Sequence, residues 1–284
     1  MASRGLIYDP FSDLELAREI NSRHMGFVGI QPGDTVLDIG CGPGDSAEWI
    51  LEHLWDGSEY RGRVVGFDID PIAIQMAKKR LAGKPVEILD RPIAVQDLGN
   101  LGFLEQEFRI AIFANGAHYL RTDEELQGAL KAIWRVTGET FALWSAFAKE
   151  AYHGNKTGGF SGRWVLKAYQ LLEARLGCNL LANRAKSENL QIRGAEEYKN
   201  ALEAAGFQGV ESKITSFPFG PEMYQAISLF PDYVENALPL PAYPKITTED
   251  KSSALFGAVR PVYKAMGVET IDRNYLFVKA RRSR

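Results

Sequence analysis

Short apolar runs rich in β-branched residues recur through the first half of the chain, each followed by a stretch whose apolar positions repeat at helical spacing. Residues 35–39, 63–70 and 86–89 read as strands. Residues 71–82, apolar at Ile72, Met76 and Leu81, read as a helix, as do residues 12–27 with Leu14, Leu16, Ile20 and Phe27. A further helical stretch covers 163–176. The alternation of strand and helix from about residue 35 to 147 implies a parallel sheet with helices on both faces.

The densest signal is Thr35-Val36-Leu37-Asp38-Ile39-Gly40-Cys41-Gly42-Pro43-Gly44, an apolar strand entering a glycine-rich turn, after which Asp45-Ser46 opens a helix. Open α/β sheets bind ligands at such crossings, and glycines let a ligand approach where a Cβ would collide. A pyrophosphate on a helix N-terminus wants no negative neighbours. Here Asp38 precedes the first glycine, and Asp45 stands where a phosphate-binding Gly-x-Gly-x-x-Gly has its third. Two carboxylates repel a pyrophosphate and suit a ligand with a free ammonium and a positive sulfur. Residues 63–70 end in Asp68-Ile69-Asp70, and an acid closing the second strand can accept from both ribose hydroxyls. Asp68 could instead cap the next helix, but Asp70 before Pro71 fits that role better.

The stretch 35–44 closely resembles motif I of the class I S-adenosylmethionine (SAM)-dependent methyltransferases, and Gly66-Phe67-Asp68-Ile69-Asp70-Pro71 resembles their second motif. The resemblance implies a Rossmann-like, doubly wound, mostly parallel seven-stranded sheet with helical lid insertions. It implies SAM as cofactor, held by Asp38, Gly40, Cys41, Gly42 and Gly44, with Asp68 on the ribose, Ile69 against the adenine and Asn115 beside the reactive methyl; no metal is implied. Residues 108–120 resemble the fourth strand and its loop, 134–140 the turn before the fifth, 196–210 the last helix and sixth strand, and 275–280 the seventh. The likeness spans roughly residues 20–217 plus the final strand. It departs after the third strand: the usual Gly-Asp-Ala is replaced by residues 90–98, where Asp97 or Gln96 would contact the adenine amino group. An NAD(P)-dependent oxidoreductase and a non-catalytic SAM-binding protein are the other readings. Asn115-Gly116-Ala117-His118 lacks the Pro-Pro-aromatic motif of nucleic-acid amino-methyltransferases.

The resemblance implies one domain over 1–284, with an N-terminal helical cap at 1–30 and insertions at 148–193 and 217–269 serving as lids over an acceptor pocket. His118 is the candidate general base and Tyr119 its neighbour in the acceptor pocket; both could instead be packing residues. His24 and Tyr8 could reach the cofactor side, while His53 lies away from it. Trp144, Phe147, Tyr152, Phe160 and Trp164 suggest either an aromatic acceptor pocket or a small core beneath a loop.

Composition trims the possibilities. With 284 residues and 45% hydrophobic content the chain can bury a full core. A net charge of −3 and a pI near 5.9 leave no electrostatic footprint for nucleic acid. No segment has the length and apolarity of a membrane span, and no signal peptide is evident; a cytoplasmic protein is expected, with a small-molecule acceptor as partner and oligomeric state open. Two cysteines make no disulfide framework, and Cys41 reads as a small neutral filler. Asn155-Lys156-Thr157 matches the glycosylation sequon by chance.

Overall fold

The computed structural model describes residues 11, 13–152, 156–185 and 191–283. Helix α1 (Glu15–Val28) leads into strand β1 (Thr35–Ile39), helix α2 (Asp45–Leu54), β2 (Arg63–Phe67), α3 (Pro71–Arg80) and β3 (Val86–Ile88). Then come β4 (Phe108–Ala114), α4 (Asp123–Val136), β5 (Thr137–Ser145), α5 (Lys149–Tyr152) and α6 (Lys156–Leu176). The chain ends with α7 (Ala195–Ala204), β6 (Phe207–Phe219), α8 (Pro221–Ile227), α9 (Pro231–Ala237), α10 (Thr248–Met266) and β7 (Ile271–Arg282).

The seven strands form one sheet in the order β3-β2-β1-β4-β5-β7-β6. Strands β1 to β5 pair in parallel and β7 runs antiparallel to β5, so the sheet is mixed and mostly parallel, as expected. Successive strand residues point to opposite faces. Leu37, Val65 and Ala111 pack with Leu126, Leu130 and Ile133 of α4, whereas Val36, Val64 and Ile112 pack with Met25 of α1 and Ile50 and Leu54 of α2. Both faces are covered, which is why the strands read as continuous apolar runs rather than alternating ones. The order reverses between β1 and β4, and at such a switch point a crevice opens beyond the carboxyl ends of the strands.

Two compact units emerge. One holds residues 19–150, 191–215 and 275–284 and carries most of the sheet. The other is assembled from the described parts of 1–18, 151–190 and 216–274, and so draws on both insertions. Its core is aromatic: Phe160 stacks on Trp164 with ring centres 5.7 Å apart and lies 4.4 Å from Tyr224 and 5.1 Å from Tyr263. The Trp164 indole donates to the Leu255 carbonyl at 2.7 Å, and the Tyr263 hydroxyl donates to that of Phe219 at 2.7 Å. Helix α6 starts at Lys156, earlier than the helical stretch expected from residue 163. Gly159 and Gly162 each cost a helix about 1 kcal/mol relative to alanine, and burial of Phe160 one turn before Trp164 offsets this.

Helix α4 lines the core through Leu126, Ala129, Leu130, Ile133 and Val136, and a capping box fixes its start. Thr122 Oγ1 accepts from the Glu125 amide at 3.1 Å, while the Glu125 carboxylate accepts from the Thr122 amide at 3.3 Å. Thr122→Ala is expected to cost about 1 kcal/mol, seen as a lower denaturation midpoint with unchanged cofactor affinity. An unchanged midpoint would mean that the cap contributes nothing to folding.

Candidate functional site

The turn between β1 and α2 is held from below and from the side. The Cys41 amide donates to the Phe67 carbonyl at 3.0 Å, and the Gly44 amide to the Cys41 carbonyl at 3.0 Å. Gly40, Gly42 and Gly44 all have positive φ, at 65°, 54° and 98°. A Cβ on Gly44 would stand 3.2 Å from the Ala77 Cα, so this glycine also lets α2 meet α3. Cys41 is buried, and burial pushes its thiol well above the ordinary range, so the side chain is a neutral filler.

Three acids sit around this turn in three different states. Asp38 is fully buried; its Oδ2 accepts from the Ser46 hydroxyl at 2.6 Å, and its Oδ1 has no hydrogen-bond partner. Burial raises its carboxyl from 3.8 to about 7, against the pull of Ser46 and helped by the charge of Asp68. Asp68 Oδ2 accepts from the Gly42 amide at 2.8 Å and its Oδ1 from the Asp70 amide at 2.9 Å. Burial raises Asp68 too, and these backbone donors work against the rise. Asp45, expected from the sequence to add repulsion toward a phosphate, is instead in an ion pair with Arg80. Asp70 caps α3, with its Oδ1 accepting from the Ile72 amide at 2.8 Å.

The other expected residues fall at the same end of the parallel strands or just beyond it. Ile69 follows Asp68 and is 66% exposed, an apolar face open beside the turn. Asp97 lies exposed in a short 3-10 helix, Val95–Asn100, as does Gln96. Asn115 ends β4 in the left-handed region at φ 48°; its amide donates to the Trp144 carbonyl at 2.9 Å, and its Oδ1 accepts from the Ala146 amide at 3.1 Å. The next residue, Gly116, admits no side chain, since a Cβ there would stand 2.1 Å from the ring of Phe113. That same ring would lie 3.3 Å from a Cβ on Gly40. Phe113 and Ser46 therefore shape the site without having been singled out from the sequence. Ser46 had a readable signal, as a hydroxyl in the first turn of the helix behind an acid-bearing strand.

His118 sits in the short 3-10 helix Ala117–Tyr119. It is 1% exposed, its ring lies 4.4 Å from Phe147 and 4.3 Å from Tyr119, and neither ring nitrogen has a hydrogen-bond partner. Burial lowers it from 6.5 to about 3, so the imidazole is neutral at physiological pH. Tyr119 is 45% exposed. His24 is buried in the same manner, stacked on Phe277 at 5.5 Å and edge-on to Trp144 at 6.0 Å. His53 Nδ1 donates to the Trp49 carbonyl on α2, at 2.9 Å. Of the five aromatics grouped by the sequence, Trp144 and Phe147 belong to the sheet-bearing unit, and Phe160 and Trp164 to the other unit's core. Tyr8, Asn155 and the side chain of Tyr152 lie outside the described residues.

Strand order, glycine turn and the acid closing β2 together define the fold of the class I SAM-dependent methyltransferases, and residues 36–139 match a family model described as "Methyltransferase domain". A candidate methyltransferase of Bacillus halodurans C-125 superposes with a TM-score of 0.54 at 17% identity, covering 95% of this chain and 99% of its own. Phosphoethanolamine N-methyltransferase 2 of Haemonchus contortus, solved with SAM, gives 0.54 at 13% identity over 94% of this chain and 53% of its own. The [4+2]-cyclase SpnF gives 0.51 at 17% identity, covering 94% and 80%. These likenesses establish the fold. No curated protein matches the sequence. Among the described residues, no helix is long and apolar enough to cross a membrane.

The state of Asp38 has a measurable sign. Between its ordinary value of 3.8 and its folded value of about 7, the folded chain holds a proton that the unfolded chain has lost. Its contribution to stability therefore falls as pH rises through that window and levels off above it. The melting temperature of the ligand-free protein is expected to fall from about pH 5 to about pH 8 relative to that of Asp38→Asn. Parallel pH profiles in the two proteins would show that the carboxylate ionises without penalty.

Proposed function

We propose that this chain is a SAM-dependent methyltransferase acting on a small-molecule acceptor in the cytoplasm, and not on nucleic acid. One observation carries the cofactor assignment: a fully buried carboxylate oxygen, Asp38 Oδ1, has no donor among the described residues. An unpaired buried acceptor is costly, and the ammonium of an amino-acid nucleoside would satisfy it where a phosphate would not. Asp68 has spent one lone pair of each oxygen on backbone amides and keeps another on each for a ribose diol. Ile69 offers its exposed apolar side chain to the adenine, Asp97 a carboxylate to its amino group, and the Gly40-Cys41-Gly42 turn a surface without obstructing side chains.

When bound, SAM supplies a methyl carbon already activated by its sulfonium, so the chain's task is to hold, orient and exclude water. Holding the acceptor in line can lower the barrier by about 7–11 kcal/mol. Asn115, Gly116 and the 3-10 helix after them form the acceptor side in this proposal, with the neutral imidazole of His118 taking a proton from an acceptor hydroxyl and Tyr119 orienting it. The insertions at 148–193 and 217–269 are assigned the role of acceptor lids. The likeness to a cyclase on the same fold favours one second reading, a protein that keeps SAM without transferring its methyl.

Calorimetry with S-adenosylhomocysteine and NAD, followed by a screen of acceptors with methyl-labelled SAM, tests the proposal. Binding of NAD alone would overturn the cofactor assignment; cofactor binding with no labelled product would favour the second reading. Asp68→Ala is expected to weaken S-adenosylhomocysteine by about 1–3 kcal/mol through lost charged hydrogen bonds. In the wild type, affinity should decline as pH falls below about 7, because the ligand's ammonium needs Asp38 ionised. Unchanged affinity in Asp68→Ala would remove the ribose assignment. His118→Ala should lower turnover by about 10²-fold or more with little change in cofactor affinity. Wild-type turnover in that variant would end its catalytic role.

A further inference from the structure

Beyond the acids of the β1 turn, a second group of unpaired polar atoms lies at the carboxyl ends of β4 and β5. The His24 and His118 rings are 0% and 1% exposed and Trp144 is 7% exposed, yet neither nitrogen of either imidazole, nor the indole nitrogen, has a hydrogen-bond partner. His24 meets Trp144 edge-on at 6.0 Å, the Asn115 amide donates to the Trp144 carbonyl, and His118 follows three residues after Asn115 and packs on Phe147 at 4.4 Å. Phe277, stacked on His24, and Tyr275, 5.4 Å from Trp144, complete an apolar and aromatic surround.

The neighbouring charges are already committed elsewhere. Arg193 donates to the Leu120 and Thr122 carbonyls at 2.8 and 3.0 Å and pairs with Asp123. Lys149 pairs with Glu197 at 2.6 Å, and the Glu150 carboxylate accepts from the Ala195 amide at 2.8 Å. Burial lowers both imidazoles to about 3, so they offer one donor and one acceptor each and no charge.

We propose that His24, Trp144 and His118 are the polar anchors of the acceptor site, and that the acceptor is uncharged: an apolar or aromatic skeleton carrying hydroxyl or carbonyl oxygens. Such oxygens give each orphaned nitrogen a partner. An ammonium, carboxylate or phosphate acceptor would enter an apolar surround where, among the described residues, Arg193, Lys149 and Glu150 already have partners, which is costly for a buried ion. The inference rests on the methyltransferase reading for its meaning, though its test does not.

The test is a ligand-observed NMR titration with four probes on one skeleton: a naphthol, naphthalene, naphthylmethylammonium and naphthoate. The naphthol is expected to bind best, with both charged probes about tenfold weaker or worse. Trp144→Phe, which removes only the indole N–H, should weaken the naphthol about fivefold and leave naphthalene unchanged. His24→Phe should act in the same direction. Equal or better binding of a charged probe, an unaltered naphthol affinity in Trp144→Phe, or no binding by any probe would each overturn the proposal. S-adenosylhomocysteine affinity, measured in parallel, reports separately on the cofactor reading: its failure in the wild type sinks that reading and leaves the probe result standing.

Discussion

The bond from the Gly42 amide to the Asp68 carboxylate, 2.8 Å long, joins the turn after the first strand to the end of the second. Asp68 also receives the Asp70 amide on its other oxygen, and its own carbonyl accepts from the Ile93 amide at 2.8 Å. Three segments distant in sequence are thus gathered at one residue: the glycine turn, the start of the third helix and the chain leaving the third strand. A carboxylate is suited to this because it accepts from several directions at once. The site's shape depends on a group that is itself part of the proposed ligand contact, so the ligand would be read by a residue already fixed in place.

Much of this was legible in the sequence because the signals are local. A strand, a glycine turn and a helix start follow one another within residues 35–46, and the Asp70-Pro71 cap is written in adjacent residues. Parallel strands buried on both faces give apolar runs that need no partner to be recognised. What escaped the sequence depends on distant contacts. Arg80 neutralises Asp45 from the far end of another helix, and Phe160 holds glycines in a helix through packing with residues from 224 to 263. The five aromatics grouped by proximity in the chain divide between two compact units for the same reason. Burial of His118 and His24 was equally invisible, since nothing in the neighbouring residues says which side of a short turn faces inward.

Two electrostatic environments stand side by side at the carboxyl ends of the strands. One, around Asp38 and Asp68, is acidic and leaves Asp38 Oδ1 without a donor among the described residues; the other, around His24, Trp144 and His118, is buried and largely aromatic. Desolvation acts on both, with opposite results: it pushes the Asp38 carboxyl up toward neutrality and the imidazoles down toward neutrality. The same low dielectric thereby opposes charge in both regions until a ligand supplies a partner.

The Phe113 ring touches the space above both Gly40 and Gly116, filling the room that a methyl group would need on either. Positions 40 and 116 are therefore tied in what they can tolerate: drift at one is blocked by an aromatic side chain that serves the other. A smaller residue in place of Phe113 would open room at position 116, while position 40, held at φ 65°, would still strain any side chain.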